Sequence, residues 1–351
     1  MNNKELNTIL KSVSRSFYLS IRVLPPAMQF SVAVAYLLAR AADTIADTAS
    51  IDTEQRVYFL RLFREFILCD FDADKLKELN TEVTPHLEVR SEICLMKSLK
   101  EIIEHYHSLD TKNFFAVQKV VDILTQGMEK DLSTFTDKEK IVALKTDDDL
   151  EEYIYLVAGC VGEFWTDLSI LHRPVLKNWN REIQIQLGIE FGKALQLTNI
   201  LRDVAKDAQL GRCYFPQHAL DHYKLETEML KNPRNDAAFR PIINHWLQQA
   251  VVYFDSAENY LYSIPKNSYR LRFAALWPIL IGLKTLGLIA NKGNFLDPSI
   301  QIKVSRNWVY RMLFFSVFCI FSNTLLRMWI QALRSATESA SSKPNKYFWI
   351  C

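Results

Sequence analysis

Apolar residues at helical spacing dominate this sequence over long segments, whereas short alternating runs bounded by turn residues are scarce. Only nine glycines and eleven prolines interrupt the 351 residues. This pattern predicts an all-α protein, and a hydrophobic content of 49% is enough for a sizeable core. Because no linker is long enough to separate two domains, we expect one helical domain over residues 1–334 and a mobile polar tail over residues 335–351.

The composition narrows the classes of partner and cofactor. The formal net charge is +2, from 42 basic and 40 acidic residues, so the chain lacks the basic excess of nucleic-acid-binding proteins. The six cysteines form no Cys-x-x-Cys pair and the seven histidines show no His-Glu-x-x-His spacing, so we expect neither disulfides nor a zinc site. The first 17 residues lack the apolar run of a secretory signal, which favours a cytoplasmic protein.

Several helix boundaries can be predicted from local signals. Asp52 has the position and chemistry of an N-cap, with Gln55 three residues later. Polar and proline-rich segments near residues 71–90 and 224–236 are predicted to be surface loops. The remaining helices are predicted near residues 4–20, 92–108, 113–130, 148–171, 182–207, 236–263, 270–291 and 306–333.

The apolar run over residues 312–326, between Arg311 and Arg327, raises the question of a membrane segment. It is shorter than the roughly 20 apolar residues of a spanning helix and contains Asn323. We therefore expect a buried helix of the bundle, with an interfacial or anchoring helix as the alternative.

The first unusual acidic pattern lies in "YLLARAADTIAD", residues 36–47. Tyr36, Arg40, Asp43 and Asp47 fall within about 60° of one another on a helical wheel, among apolar neighbours. Like charges at this spacing cost roughly 0.2–0.5 kcal/mol, and acidic groups in a last helical turn cost roughly 0.3–1 kcal/mol more. Breaking two local rules together is typical of functional sites, although an exposed helix end would also accept two solvated carboxylates.

A second stretch, residues 195–217, repeats this arrangement. Gln196, Asn199, Asp203 and Asp207 fall within about 80° of one another on a predicted helix that is otherwise apolar. Carboxylates on interior helix faces need partners or a metal ion. The repetition predicts that the two acidic faces point toward each other across an apolar chamber.

Magnesium and a phosphorylated substrate suit such carboxylates. Mg²⁺ takes oxygen ligands and typically binds through one or two carboxylates plus substrate phosphates. Charge-assisted hydrogen bonds to phosphate can come from Arg15, Arg40, Arg202 and Arg212. Loss of diphosphate from an allylic substrate leaves a cation, which faces of the 21 Phe, 14 Tyr and 7 Trp residues can stabilise.

Four segments in fixed order resemble one enzyme family, the head-to-head prenyl synthases, which include squalene and phytoene synthases. The resemblance extends from about Ser14 to Gln217 and more faintly to about Arg334. The segments are "SRSF" (Ser14–Phe17), "YLLARAADTIAD" (Tyr36–Asp47), "VAGCVGE" (Val157–Glu163) and the stretch from Leu197 to Gln217.

This resemblance implies an all-α isoprenoid-synthase-type bundle with a central active-site cavity. It implies that Asp43, Asp47, Asp203 and Asp207 bind Mg²⁺ and diphosphate. Positions that match the diphosphate region of the family are Ser14, Arg15, Tyr36, Arg40, Gln196, Asn199, Arg202 and Arg212. The implied reaction joins two farnesyl diphosphates through presqualene diphosphate, and hydride from NADPH then completes squalene.

Two positions depart from the pattern of squalene synthases. The tyrosine that usually precedes "VAG" is Leu156 here, so Tyr153, Tyr155 and Tyr36 are the catalytic tyrosine candidates. Lys206 stands where many of these enzymes have glutamate.

The basic segment "IQIKVSR" resembles the segment near NADPH, which makes Lys303 and Arg306 candidates for cofactor binding, with ordinary surface charges as the alternative. No Gly-x-Gly-x-x-Gly fingerprint predicts a Rossmann site.

Three functions remain open from the sequence. The first is squalene formation, and the second is an enzyme of the same fold that stops at presqualene diphosphate or makes dehydrosqualene or phytoene. A third is a catalytically silent assembly or lipid-binding protein, a class that tends to lose the aspartates retained here. Peripheral membrane association and any oligomeric state also remain open.

Overall fold

Helices account for most of the computed structural model, which describes residues 3–14, 17–69, 71–136 and 140–341. The prediction of an all-α protein is confirmed, with one short parallel strand pair among the described residues. The helices are α1 (Asn3–Val13), α2 (Phe17–Val23), α3 (Pro26–Asp47), α4 (Thr53–Leu68), α5 (Ala73–Val83), α6 (Arg90–Lys97), α7 (Leu99–His107), α8 (Thr111–Thr134), α9 (Asp147–Ile154), α10 (Cys160–His172), α11 (Arg181–Gln209), α12 (Gln217–His222), α13 (Asp236–Ser263), α14 (Tyr269–Asn291), α15 (Arg306–Cys319) and α16 (Asn323–Ser341). Strands β1 (Val142–Leu144) and β2 (Arg212–Pro216) pair in parallel, and short 3₁₀ turns cover Thr84–His86, Pro174–Leu176, Thr227–Lys231 and Pro233–Asn235.

The chain forms two compact units, of which the first contains residues 1–136 and 163–181. Its centre is α3, which packs against α4, α7 and α8. Pro26 at the first helical position starts α3 without needing a hydrogen-bonded amide, and Leu37, Leu38, Ala41 and Ala42 are fully buried. The Asp52 side chain accepts a hydrogen bond from the Gln55 amide, which confirms the predicted cap of α4.

The second unit contains residues 137–162 and 182–351. Its core is built around α14, which packs against α13, α15 and α16. The fully buried Arg272 of α14 donates hydrogen bonds to the carbonyls of Leu261, Ile264 and Ile320 and to the Asn323 side chain. This arginine thereby ties the end of α13 and the turn between α15 and α16 to the core.

Three predictions about individual segments need correction. The predicted loop over residues 71–90 contains α5, because Asp72 caps a helix whose Leu76, Leu79 and Val83 are buried. The apolar run over residues 312–326 is not a buried helix. Its inner face, with Met312 and Ser316, packs on the core, while all four of its phenylalanines face outward. The tail predicted from residue 335 begins inside α16, and residues 342–351 lie outside the described part of the chain.

Among the described residues, two helical segments are long and apolar enough to cross a membrane by length and composition, Asp147–His172 and Tyr269–Asn291. In the second, 56% of the most apolar window is buried, as in the core helix of a soluble protein. The C-terminal run over residues 312–326 is not one of the two.

Candidate active site

The predicted acidic stripe of α3 is the accessible side of a helix that is otherwise buried. From residue 31 to residue 47 only five side chains are not buried, and they include Tyr36, Arg40, Asp43 and Asp47. Asp47 is exposed at the helix end, and Asp43 keeps 38% of its side chain accessible. The helical spacing therefore places one arginine and two carboxylates where a ligand can reach them.

Arg40 is held between two carboxylates. Its Nη1 donates to Asp43 one turn along α3, and its Nη2 donates to Glu92 Oε1 at 2.6 Å. Within the described residues, its Nε–H is buried without a hydrogen-bond partner. The guanidinium plane is therefore fixed at two of its nitrogens and retains an unused donor, which is an arrangement suited to an oxyanion.

The electrostatic environment of Asp43 disfavours its charged form. Burial and the negative charge of Asp47 raise the pKa of Asp43 to about 6, against the opposing effect of Arg40. Glu92 adds a smaller repulsion in the same direction. The pair is a place of excess negative charge, which a bound divalent cation would relieve.

The neighbours of the α3 stripe are ordered by aromatic and backbone contacts. The ring of Tyr36 stacks on Phe17 with centroids 5.3 Å apart, and its hydroxyl donates to the Val13 carbonyl at 3.3 Å. Ser14 is buried, and its hydroxyl donates to the Leu10 carbonyl. Arg15 lies outside the described residues.

The second predicted stripe lies on α11, in the second unit. Gln196, Asn199, Asp203 and Asp207 are all partly accessible, while Leu197, Ile200, Leu201 and Val204 between them are buried. Arg202 donates two hydrogen bonds to the Asp203 carboxylate, from Nε at 3.0 Å and from Nη2 at 2.5 Å. Asn199 donates to Gln196 Oε1 at 3.4 Å, which orders the amide end of the stripe.

Asp207 and Arg212 line one small depression. The turn after α11 contains Gly211 with φ of 77°, a left-handed conformation that favours glycine, and leads directly into β2. Pairing of Arg212 with Val142 on β1 fixes the start of that strand. Burial raises the pKa of the adjacent Cys213 thiol to about 12, so this cysteine stays protonated and is no nucleophile. The depression is lined by Ile200, Val204, Asp207, Arg212, Cys213, Tyr214, Phe215 and Leu230.

The "VAG" segment departs from regular helix. Tyr155–Gly159 form one π-helical turn between α9 and α10, a distortion frequently found at functional sites. Tyr155 lies in this turn, beside Gly159. Tyr153 is buried two residues earlier, near the end of α9. Its hydroxyl donates to the Tyr214 hydroxyl at 3.2 Å, and the two rings stack 4.8 Å apart.

Glycines let this segment approach α11 closely. A Cβ at Gly162 would lie 1.8 Å from the Gly188 carbonyl oxygen, and one at Gly192 would lie 2.2 Å from that of Ala158. Side chains at these positions would separate the two backbones. The glycines therefore fix the π-helical turn against the helix that carries Asp203 and Asp207.

The two cofactor candidates are exposed, Lys303 three residues before α15 and Arg306 at its first residue. Both remain predictions, since exposure fits a surface charge as well as a ligand contact.

The carboxylates described above occur as pairs. No three His, Cys, Asp or Glu side chains in the described ranges are grouped so that they could hold a metal ion by themselves. Any Mg²⁺ at either stripe would therefore rest on one or two carboxylates and complete its shell with water and phosphate, as this ion commonly does. Whether the two stripes face each other stays a prediction.

Two residues of the site were missed by the sequence analysis. Glu92 contacts Arg40 from 52 positions away, and Tyr214 contacts Tyr153 from 61 positions away. Glu92 carries no local signal beyond its place in the first turn of α6. Tyr214 lies inside the "GRCYFPQ" segment, so its position next to Arg212 was the available clue.

Comparison with known proteins identifies relatives of the chain. The family model for squalene/phytoene synthase matches residues 10–308. The squalene synthase of Eremothecium gossypii is 28% identical over 86% of this chain, and squalene synthase ERG9 of Saccharomyces cerevisiae is 28% identical over 84%. The aligned regions cover 65% and 63% of those proteins, so this chain spans just under two thirds of their length.

A solved structure supports the fold. The ligand complex of TcSQS superposes with a TM-score of 0.73 over 96% of this chain and 97% of that chain, at 21% identity. The family match covers most of the sequence and includes both acidic stripes and the π-helical turn. The chain therefore belongs to the squalene/phytoene synthase family.

Proposed function

We propose that this protein is a Mg²⁺-dependent prenyltransferase that condenses two farnesyl diphosphates head to head, through presqualene diphosphate, to squalene. The observation that carries the proposal is the pairing of arginine and carboxylates on the accessible sides of α3 and α11, in a member of this family. The names of the relatives in yeast and Eremothecium gossypii support squalene as the product.

The donor set fits magnesium. Asp43 with Asp47 and Asp203 with Asp207 supply hard oxygen ligands in pairs. Burial and then the charge of Asp47 raise the pKa of Asp43, and a dication would offset both effects. When bound, Mg²⁺ neutralises charge on the diphosphate oxygens and makes diphosphate a better leaving group.

The arginines would orient the diphosphate. Arg40 is positioned by Glu92 and Arg202 by its own neighbour Asp203, so both guanidinium planes are fixed before substrate binds. Arg212 lines the same depression as Asp207. Arg15, Ser14, Gln196 and Asn199 complete the proposed diphosphate region on the strength of their motif positions.

We propose that three tyrosines either accept the proton that the substrate loses or assist the departure of its diphosphate. Tyr153 shares a hydroxyl–hydroxyl hydrogen bond with Tyr214, which gives it a route for passing a proton. Tyr155 lies on the π-helical turn, and Tyr36 lies on the α3 stripe next to Arg40. The Tyr153–Tyr214 pair has the strongest geometric support, because a defined partner orients both hydroxyls.

The reductive step is proposed to use NADPH, with Lys303 and Arg306 as contacts for its phosphates. Their exposure leaves them accessible to such a ligand. We also retain the alternative product class, presqualene diphosphate, dehydrosqualene or phytoene, because Leu156 replaces the tyrosine typical of squalene synthases. Retention of all four aspartates argues against a catalytically silent protein.

Product analysis tests the proposal. The full chain is incubated with farnesyl diphosphate or geranylgeranyl diphosphate and Mg²⁺, with and without NADPH, and the lipid products are identified by mass spectrometry. We expect squalene from farnesyl diphosphate only when NADPH is present. A product profile that NADPH leaves unchanged would assign the protein to the alternative class, and no release of diphosphate would refute both.

A further inference from the structure

A group of polar side chains joins α9, α11 and α13 within the second unit. Its centre is the carboxylate of Glu151 on α9, which accepts a hydrogen bond from each of the other two helices. Lys193 Nζ on α11 donates to Glu151 Oε2 at 2.7 Å, and the Tyr253 hydroxyl on α13 donates to Glu151 Oε1. We call Glu151, Lys193 and Tyr253 the α9 clamp.

The α9 clamp is a partly buried contact in which each member touches the other two. Lys193 keeps 16% of its side chain accessible and Glu151 keeps 32%, so water and salt screen this ion pair less than an exposed one. The Lys193 ammonium also lies 6.0 Å from the centroid of the Tyr253 ring, within the range of a cation–π contact. Burial and then the charge of Glu151 raise the pKa of Tyr253, so its hydroxyl stays protonated and remains a donor.

The α9 clamp gives a short helix a second point of attachment. With eight residues, α9 is too short to be stable by itself, so its position depends on tertiary contacts. It packs against β1 and β2, and Glu151 adds charged hydrogen bonds to two further helices. The strands and the α9 clamp together therefore fix α9 both along and around its axis.

The end of α9 beyond Glu151 carries tyrosines with a proposed chemical role. Glu151 precedes Tyr153 by two residues and is followed closely by the π-helical turn Tyr155–Gly159. The Tyr153 hydroxyl reaches the Tyr214 hydroxyl at 3.2 Å, which is already long for a hydrogen bond between hydroxyls. A small displacement of α9 would therefore break this contact.

On the α11 side, the α9 clamp is attached next to the closest approach of the two backbones. Lys193 directly follows Gly192, where a Cβ would lie 2.2 Å from the Ala158 carbonyl oxygen. Further along the same helix lie Asp203 and Asp207. Lys193 thus connects α9 to the helix that carries one of the two acidic stripes.

We propose that Glu151 is a positioning residue, which acts through Lys193 and Tyr253 to hold the tyrosine-bearing end of α9 in register with α11. This inference rests on the proposed function, because that function gives the tyrosines their role. By analogy with outer partners of metal ligands, which typically contribute roughly 10–100-fold to activity, loss of Glu151 should slow turnover. Substrate binding should change little, because both partners of Glu151 lie outside the acidic stripes.

Glu190 provides a matched control within the same group of helices. The Ser256 hydroxyl of α13 donates to Glu190, and Gln186 Nε2 donates to Glu190 Oε1 at 2.7 Å. Glu190 is therefore also a carboxylate with two hydrogen-bond donors, but its partners lie on α11 and α13 and not on α9. A general loss of stability should appear in variants of both glutamates, whereas misplacement of α9 should appear only in variants of the α9 clamp.

The experiment compares the full-length wild type with Glu151→Ala, Glu190→Ala, Lys193→Met and Lys193→Arg. Steady-state kinetics of diphosphate release gives kcat and KM for farnesyl diphosphate. Hydrogen exchange followed by mass spectrometry reports directly on residues 150–159, and circular dichroism checks the fold of each variant. If Glu151→Ala does not fold, the two Lys193 variants test the same α9 clamp.

We expect Glu151→Ala to lower kcat at least about tenfold while KM stays within about twofold, and residues 150–159 to exchange faster. Lys193→Met should show the same changes, Lys193→Arg should restore most of kcat because it keeps the charge, and Glu190→Ala should behave like the wild type. Normal kcat in folded Glu151→Ala, equal losses in the two glutamate variants, or unchanged exchange over residues 150–159 would overturn the proposal. Wild-type protein that releases no diphosphate would instead refute the proposed function, and the exchange data would still decide whether Glu151 holds α9.

Discussion

At the scale of single residues, Asp43 and Asp203 meet different opposing charges. Asp203 is held by two hydrogen bonds from Arg202, whereas Asp43 shares Arg40 with Glu92 and faces the repulsion of Asp47. The α3 pair therefore has a greater excess of negative charge to be neutralised. This difference suggests that the α3 carboxylates depend more strongly on a cation than those of α11.

The first prediction concerns these carboxylates. Asp43→Asn and Asp203→Asn keep side-chain volume but remove the charge that binds a cation. We expect each to lower turnover of farnesyl diphosphate by at least roughly 10²–10³-fold, by analogy with other losses of transition-state stabilisation. Diphosphate release gives the rate, and circular dichroism checks that the fold is intact.

Asp52→Asn is the matched control, because asparagine also caps helices and Asp52 has no proposed role in binding. It should retain normal turnover. A well-folded Asp43→Asn protein with near-normal activity would contradict the metal role.

The second prediction concerns Glu92, which positions Arg40. Glu92→Gln removes one of the two carboxylates that fix the guanidinium. Partners of this kind typically contribute roughly 10–100-fold to affinity or activity, so we expect the KM for farnesyl diphosphate to rise by about tenfold. Steady-state kinetics measures the effect, and the exposed Glu88→Gln serves as control. Equal KM values for the two variants would show that Glu92 is dispensable.

At the scale of secondary structure elements, glycines determine how closely the π-helical turn approaches α11. Gly162→Ala would bring a methyl group to 1.8 Å from the Gly188 carbonyl oxygen, so a backbone must move. We expect a loss of roughly 1–3 kcal/mol in the free energy of unfolding, measured with urea. Gly293→Ala, which has open space around its Cβ, should be nearly neutral. A Gly162→Ala protein as stable as the control would mean that the close approach is not needed.

The end of α10 supplies a pH-dependent contact with α8. His172 lies 2.8 Å from the Asn113 side-chain oxygen, and burial lowers the pKa of His172 despite the nearby Asp110. The unfolded chain therefore binds a proton at this position more readily than the folded chain. The contribution of the neutral imidazole is present above the ordinary histidine pKa and is lost as pH falls below it.

We therefore expect the unfolding free energy to fall between about pH 7 and pH 5, and His172→Gln should reduce that slope. Urea denaturation at several pH values measures the difference between the two proteins. The exposed His218→Gln is the control and should leave the slope nearly unchanged. Parallel curves for wild type and His172→Gln would contradict the assignment.

The sequence predicted some of these elements and contacts correctly and missed others, for physical reasons. Periodicity places α13 and α14 to within one residue, because each buries one long apolar stripe. It also identifies the stripes of α3 and α11, since polar residues at i, i+4 spacing stand out in an apolar helix. It could not find Glu92, whose contact with Arg40 depends on tertiary packing. The exposure of Phe314 and Phe318 was likewise hidden, because an all-apolar helix has no periodic signal to show which face is covered.

At the scale of the whole molecule, the question is whether the two acidic stripes serve one chemical step. If Asp43 and Asp203 act on the same diphosphate, removing both should cost little more than removing one, as in other sets of residues that act as a unit. We expect the turnover rate of the double variant to be within about tenfold of the rate of the less active single variant. Losses that multiply would indicate two independent steps. The assay is diphosphate release under single-turnover conditions.

Arg272 ties the hairpin formed by α15 and α16 to the core of the second unit. Its four hydrogen-bond acceptors in the described part of the chain are uncharged oxygens. Two of them, from Ile320 and Asn323, lie at the turn after α15 and at the first residue of α16. If the hairpin detached, a buried guanidinium would lose half of these acceptors, at a cost too large for ordinary fraying. Amide protons of α15 and α16 should therefore exchange with solvent at the rate of global unfolding, which makes this outer hairpin as persistent as the protein's interior.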